Sequence, residues 1–236
     1  MGPNLKTSKW YDSFYINREE LKKLTPWHST VLDMLKDVKL VDWMVLDLGT
    51  GTGELLREVK CEKKVGVDIS FEGLRIAFKK DNLNNYVCAS AEHLPFKNHS
   101  FDLIFFCEVI EHVNDCNKTL NELKRVLKKE GFLIISFPNY IHLAWLVLRI
   151  LADILNKPKW IVRQPIDRIF FYPSVKKMLE TIGFKLLKTK GSVYAPPVIY
   201  NYINYEYHIL DNYLDRLKLY IFAFHPVLLF KYSQSE

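Results

Sequence analysis

Residues Met44 to Leu55, MVLDLGTGTGEL, constrain this 236-residue chain more than any other stretch. An apolar run, Met44 to Leu46, reaches an acid, Asp47. Gly49, Gly51 and Gly53 then alternate with Leu48, Thr50 and Thr52 before Glu54, Leu55 and Leu56. That order reads as a buried strand, a glycine-rich turn and a helix start. Glycine reaches dihedrals closed to other residues and lets a ligand lie against the backbone, so the turn is a cradle. A dinucleotide fingerprint, G-x-G-x-x-G, would need its third glycine at position 54, which is Glu54. A phosphate loop would need a Gly-Lys-Ser/Thr ending, and no lysine follows until Lys60.

The pattern that fits is D-x-G-x-G-x-G, and with it the chain resembles the class I S-adenosylmethionine-dependent methyltransferases. The resemblance implies that the turn at Gly49, Thr50, Gly51 and Gly53 holds the methionine end of the cofactor, with Asp47 facing its ammonium group. A second short apolar strand, Lys64 to Ser70, ends in Asp68. A carboxylate there can accept both hydroxyls of a ribose, with Ile69 beside it, and can also cap the helix that follows; the two roles are compatible. Further on, ASAEHLPF (Ala89 to Phe96) resembles the family's D-A-x-x-L-P-F, in which an acid and the next backbone amide recognise adenine. Here Ser90 stands at the acid position, leaving the Ser90 hydroxyl and the amides of Ala91 or Glu92 as candidate partners.

The order of elements supports an α/β, doubly wound sheet. Ser70 is placed to cap a helix over 71–80 with Leu74, Ala77 and Phe78 inward, and Tyr86 to Ala89 make a third strand. Ser100 to Glu108, SFDLIFFCE, is a nearly continuous apolar strand, as a central parallel strand covered on both faces should be. A helix over 117–129 and a strand over 131–137 follow. Asp47, Gly49, Asp68, Ser90 and Glu108 each follow the carboxyl end of a strand, the edge where open parallel sheets bind ligands. The resemblance implies a seven-stranded, mostly parallel, Rossmann-like sheet. Residues 1–236 then form one domain: a helical cap over 1–40, a core over 41–139, an apolar lid over 140–173, and C-terminal strands with an aromatic insertion over 174–236.

Outside the core the pattern changes. Residues 10–36 read as amphipathic helix in two pieces broken at Thr25-Pro26; Tyr11 and Tyr15 sit where such a helix would cover the cofactor, with packing among aromatics the favoured role. Ile141 to Leu155 is almost wholly apolar, with one thin polar stripe in which Arg149 and Asp153 can pair across a turn. At about 1.5 Å per residue it spans roughly 22 Å, short of a bilayer core of about 30 Å. A buried lid is favoured over an interfacial helix, because Lys157, Lys159, Arg163 and Arg168 flank the segment without lining it. Tyr172 to Gly183 reads as a capped helix leading into a strand over 184–188. Val193 to Tyr213 is a tyrosine-rich insertion before a last strand near 227–232.

For catalysis the candidates are Glu108, Glu111 and His112. The spacing E-x-x-E-H resembles ubiquinone-pathway O-methyltransferases and small-RNA ribose methylases, where such residues bind a divalent metal that activates an acceptor hydroxyl. A magnesium ion on Glu108, Glu111 and His112 is one reading. The other makes E-H the start of a helix, its carboxylate favoured by the helix dipole. The ribose methylases also carry a downstream His-Lys-Phe-Glu-Trp stretch; the corresponding residues here are Phe170-Phe171-Tyr172-Pro173-Ser174, which counts against an RNA acceptor. His142, alone on an apolar helix, is the weakest base candidate. Cys107 has no activating surroundings, and no N-P-P-aromatic motif of the base and glutamine N-methylases follows the fourth strand.

Charge narrows the partners. Residues 1–139 carry 20 Lys+Arg against 20 Asp+Glu, and residues 140–236 carry 13 against 7, so the net +6 lies wholly in the last part. Positives separated by apolar runs are a thin footprint for a nucleic-acid binder. Four scattered cysteines and no export signal at the N-terminus fit a cytoplasmic protein, with peripheral membrane contact through 140–173 as an option. The expected function is methyl transfer, chiefly to oxygen, on a small-molecule or lipid-like acceptor. A sugar-precursor methyltransferase and a non-catalytic cofactor-binding subunit are the alternatives.

Overall fold

A computed structural model describes residues 3–17, 25–82, 85–154, 164–194 and 207–233. Its strands are β1 (Met44–Leu48), β2 (Lys63–Asp68), β3 (Asn85–Cys88), β4 (Phe101–Cys107), β5 (Leu127–Ser136), β6 (Phe184–Ser192) and β7 (His225–Tyr232). They form one sheet in the order β3-β2-β1-β4-β5-β7-β6. β1 to β5 pair in parallel, and β7 runs antiparallel to both β5 and β6. This is the doubly wound, mostly parallel α/β sheet expected.

The unbroken apolarity of β4 has the cause anticipated. Leu103, Phe105 and Cys107 pack with Val31, Met34 and Leu55, while Ile104 and Phe106 pack with Leu120, Leu123 and Leu179. Alternate side chains thus enter two different cores, and neither face meets water. Phe105 and Phe106 are fully buried, each contributing about 1.5–3 kcal/mol through removal of its ring from water. Register places Asp47 beside Gly66 of β2 and Phe105 of β4, so the segments leaving β1, β2 and β4 emerge together at one sheet edge.

The helices are α1 (Pro3–Ile16), α2 (Pro26–Leu35), α3 (Glu54–Glu58), α4 (Phe71–Lys80), α5 (Cys116–Val126), α6 (Leu143–Ile154), α7 (Tyr172–Thr181) and α8 (Tyr207–Arg216). α4 starts as expected, with the Ser70 hydroxyl accepting from the Gly73 amide at 3.0 Å. Phe78, however, stands 55% exposed instead of facing inward. α5 is shorter than its polar continuation suggests. It ends at Val126, because Leu127 pairs with Phe101 and opens β5, which overrides the helical preference of Lys128-Lys129-Glu130. α7 begins after Phe171 with Pro173 in its first turn and no side-chain cap, so the capped reading fails there. The N-terminal helix runs from Pro3, earlier than the amphipathic pattern indicates. Leu21 and Leu24 lie outside the described residues, as do Tyr200, Tyr202 and Tyr205 of the aromatic insertion.

α6 departs from the buried-lid expectation. Val147, Ile150, Leu151 and Ile154, spaced three and four apart, are 45–69% exposed on one face. Arg149 is ion-paired with Asp167; the Asp153 side chain lies outside the described residues. Among the described residues no helix is long and apolar enough to cross a membrane.

A buried hub that no local pattern announces joins the late segments to the core. Asn139, with no exposure, donates to Ile221 O and Ala223 O at 2.8 and 3.0 Å and accepts from the Tyr172 amide at 2.9 Å. Arg168 then ties the segment after residue 163 to the loop after β4. Its backbone amide donates to Glu111 O, and its guanidinium to Val113 O and Asn114 O.

Candidate active site

The glycine turn takes its shape from three left-handed residues, Gly49, Gly51 and Gly53, at φ +83, +55 and +77°. A Cβ at Gly49 would fall 2.2 Å from Val109 Cγ2, and one at Gly51 would fall 2.7 Å from the Tyr15 hydroxyl. Side chains from two other segments therefore press onto the turn. The amides of Gly49 and Thr50 both donate to Val67 O, at 2.7 and 3.0 Å, binding the turn to the tip of β2.

Two buried acids support it. Asp47 accepts from the Thr50 hydroxyl at 2.7 Å, and burial pushes its pKa up to about 7, assisted by the charges of Asp68 and Glu54. Asp68 accepts from the Gly51 and Ser70 amides, each at 2.8 Å. Burial raises Asp68 to about 6, while those backbone bonds pull it down.

Along the sheet edge runs a cavity of about 460 Å³, within the range of about 300–1,000 Å³ usual for small-molecule sites. One end is lined by Gly49, Asp68, Ile69, Ser90, Ala91 and Glu92, and the other by His112, Tyr140, Arg149, Gln164, Asp167 and Phe224. Glu108 and Glu111 also line it. Asp47, Thr50, Gly51 and Gly53 do not reach this wall; they stand behind it and shape the turn. Glu92 lines it but spends its carboxylate accepting the Asn114 and Asp115 amides. Its own amide donates to the Ser90 hydroxyl, which leaves the Ala91 amide as the candidate donor to an adenine ring.

α1 forms the roof. Tyr11 and Tyr15 line the cavity as well as stacking on each other, so the favoured packing role accounts for only part of what they do. The Ser8 hydroxyl donates to Ile69 O, and Asp12 accepts from the Ser70 hydroxyl and the Glu72 amide, pinning the roof to the tip of β2 and the start of α4. Tyr11 donates to Gln164. Thr7, Asp12 and Gln164 carried no signal in the sequence; only the packing of α1 over the edge brings them there.

At the far end, residues 110–112 form a single 3-10 turn, so E-H begins no long helix. Glu111 is 1% exposed, with one carboxyl oxygen 3.5 Å from His112 Nε2 and the other without a hydrogen-bond partner among the described residues. Burial, then the nearby Glu108, holds Glu111 well above the usual carboxylate range. His112 Nδ1 is 2.8 Å from Ile166 O. A carbonyl can only accept, so Nδ1 carries the proton and Nε2 the lone pair. Burial depresses the His112 pKa, keeping the ring neutral. Tyr140 is pushed up to about 12 by burial and the charge of Asp167.

The metal reading is not carried by this geometry. Glu108 is engaged by Ser136 and lies next to His225, and among the described residues no three His, Cys, Asp or Glu side chains gather as a ligand set. His142 Nε2 donates to Tyr194 O and lies outside the cavity lining.

Residues 46–135 match the family model described as "Methyltransferase domain". An uncharacterized protein of Methanocaldococcus jannaschii, MJ1252, is 34% identical over 79% of this chain and 76% of its own. The demethylmenaquinone methyltransferase of Thermotoga maritima is 34% identical over 47% of this chain and 49% of its own. The chain belongs to the class I S-adenosylmethionine-dependent methyltransferases. A solved methyltransferase of Thermotoga maritima, titled a possible histamine N-methyltransferase, shares the fold at TM-score 0.67 and 19% identity, covering 97% of each chain. In this methyltransferase the residues present fit the cofactor. The turn at Gly49 leaves no room for a side chain, and the buried Asp68 and the Ser90-Ala91 backbone share one end of a cavity of suitable size.

Proposed function

We propose that the methyltransferase acts on an uncharged, ring-bearing or lipid-like small molecule seated between His112, Tyr140 and Phe224, and that the methyl group goes to an acceptor oxygen. When bound, the cofactor supplies an activated methyl on a sulfonium. The chain's own residues align the acceptor, exclude water and receive a proton. The observation that carries this reading is the single cavity joining Asp68 and Ser90 to an aromatic end where His112 keeps a lone pair on Nε2. A neutral imidazole there suits removal of a hydroxyl proton. Among the described lining residues the only Arg or Lys is Arg149, and it is already paired with Asp167. A carboxylate or phosphate on the acceptor would therefore meet Asp167 with no spare cation among the described lining residues, which disfavours charged sugar precursors.

The half-length likeness to a demethylmenaquinone methyltransferase favours one second reading, transfer to a ring carbon of a quinol-like acceptor. Deprotonation of a ring hydroxyl raises the nucleophilicity of the neighbouring carbon, so the same base serves either outcome. The exposed apolar row on α6 supports delivery of such an acceptor from a lipid surface.

Labelled S-adenosylmethionine incubated with neutral phenols and quinols, phosphorylated sugars and aromatic carboxylates tests the reading. Label in the neutral aromatic compounds is expected, and mass spectrometry of the product separates oxygen from carbon. Label only in the charged compounds, or no transfer with any, refutes it. Co-sedimentation with anionic vesicles at low salt is expected, and its absence removes the surface-delivery part.

A further inference from the structure

His225, the first residue of β7, lies against Glu108 of the cavity wall. Glu108 follows β4 and is one of few non-glycine residues in the left-handed region among those described, at φ +56°. That conformation strains an ordinary residue, and such strain persists where surrounding contacts over-determine it. The contacts here come from the two strands next along the sheet. The Glu108 amide donates to Ser136 O at 2.9 Å, the buried Ser136 hydroxyl donates to Glu108 Oε1 at 2.8 Å, and His225 Nδ1 lies 2.9 Å from Glu108 Oε2. The His225 nitrogen is itself buried and makes no aligned hydrogen bond. The polar group beside it is the Glu108 carboxylate.

Glu108 also stands next to the glycine turn. The side chain of the following residue, Val109, occupies the space where a Cβ on Gly49 would be, so the turn and the tip of β4 are in contact. Oε1 of the carboxylate accepts from Ser136, and Oε2 lies beside His225; a carboxylate offers roughly four lone-pair directions. The others remain for the cavity, whose wall Glu108 forms. An anion at that place suits the amino-acid end of the cofactor, which carries an ammonium group beside the sulfonium.

We infer that His225 is a positioning residue for the cofactor: with Ser136 it clamps the Glu108 carboxylate at the turn, so that Glu108 receives the ammonium of S-adenosylmethionine. The inference rests on the cofactor assignment above and not on the identity of the acceptor.

The test needs no acceptor. Calorimetry with S-adenosylhomocysteine, which keeps the amino-acid end, is set against 5′-methylthioadenosine, which lacks it. His225→Leu should weaken S-adenosylhomocysteine at least tenfold and leave methylthioadenosine within twofold of wild type. His225→Asn, whose amide nitrogen can take the place of Nδ1, should restore most of the lost affinity. Ser136→Ala removes the other clamp, should give the same selective loss, and serves if the leucine variant does not fold. Equal weakening of both ligands, no weakening of either, or failure of His225→Asn to recover affinity overturns the role. Failure of the wild-type chain to bind either ligand would instead overturn the cofactor assignment itself.

Discussion

Asp68→Asn separates what the buried acid does for the fold from what it does for a ligand. In the folded chain the Asp68 carboxylate receives the Gly51 and Ser70 amides, and burial raises its pKa from 3.8 to about 6. That displacement corresponds to about 3 kcal/mol in favour of the neutral acid. Because the folded value lies above the unfolded one, this stabilisation is fully present below about pH 4 and is lost as pH rises through about 6. The ligand-free wild-type chain should therefore lose stability across that window. Asparagine does not titrate, so the variant should lack this part of the slope. The amide oxygen can serve one of the two backbone N–H groups, but its NH₂ then meets the other, at a cost of about 1–3 kcal/mol. At pH 7.5 the two effects largely offset, and the melting temperature should move by only a few degrees, at about 2–4 °C per kcal/mol for a chain of this size. Ligand binding should not be spared. A ribose diol loses an acceptor, and S-adenosylhomocysteine should bind 10- to 100-fold more weakly, equivalent to about 1.4–2.8 kcal/mol. Wild-type affinity should be flat above pH 6 and fall toward tenfold per pH unit below it, while the variant's should lack that fall. Thermal scans from pH 4.5 to 8 and calorimetry over the same range read both effects. Superimposable pH profiles, or unchanged affinity in the variant, would refute the reasoning.

Three further outcomes follow from the same geometry. Gly49→Ala introduces a Cβ 2.2 Å from Val109 Cγ2 at φ +83°; left-handed strain of about 1–2 kcal/mol plus the clash should lower the urea midpoint. Adding Val109→Ala should recover the clash but not the strain. Asn139→Ala strands the Tyr172 amide and the carbonyls of Ile221 and Ala223. At about 1–3 kcal/mol for each unsatisfied buried group, a loss of about 3–5 kcal/mol is expected, with faster exchange of the Tyr172 amide. His112→Asn keeps a donor for Ile166 O and removes the lone pair at Nε2. Turnover of a hydroxyl acceptor should fall by about 10²–10⁴ while S-adenosylhomocysteine affinity stays within twofold.

The end of the cavity proposed for the cofactor was readable because each of its parts is local. Gly49, Asp68 and Ser90 each follow a strand whose apolar pattern is plain, and parallel pairing carries those strand ends to one edge whatever the rest of the chain does. The misreadings arise where a distant partner decides. Lys128-Lys129-Glu130 reads as helix until Leu127 pairs with Phe101. An apolar α6 can be covered or bare, and only its neighbours determine that Val147 and Ile150 face outward. Asn139 donates to residues 82 and 84 positions away, and Glu108 is held by Ser136 and His225 from two later strands. No periodicity encodes such contacts. Apart from His112, the end proposed for the acceptor is assembled in this second manner, from α1, the segment around Gln164 and Asp167, α6 and Phe224. None of these occupies a strand end, so their convergence depends on packing over long separations. The reaction was therefore legible in a dozen residues near Asp47, whereas the shape that selects the acceptor appears only once the chain is folded.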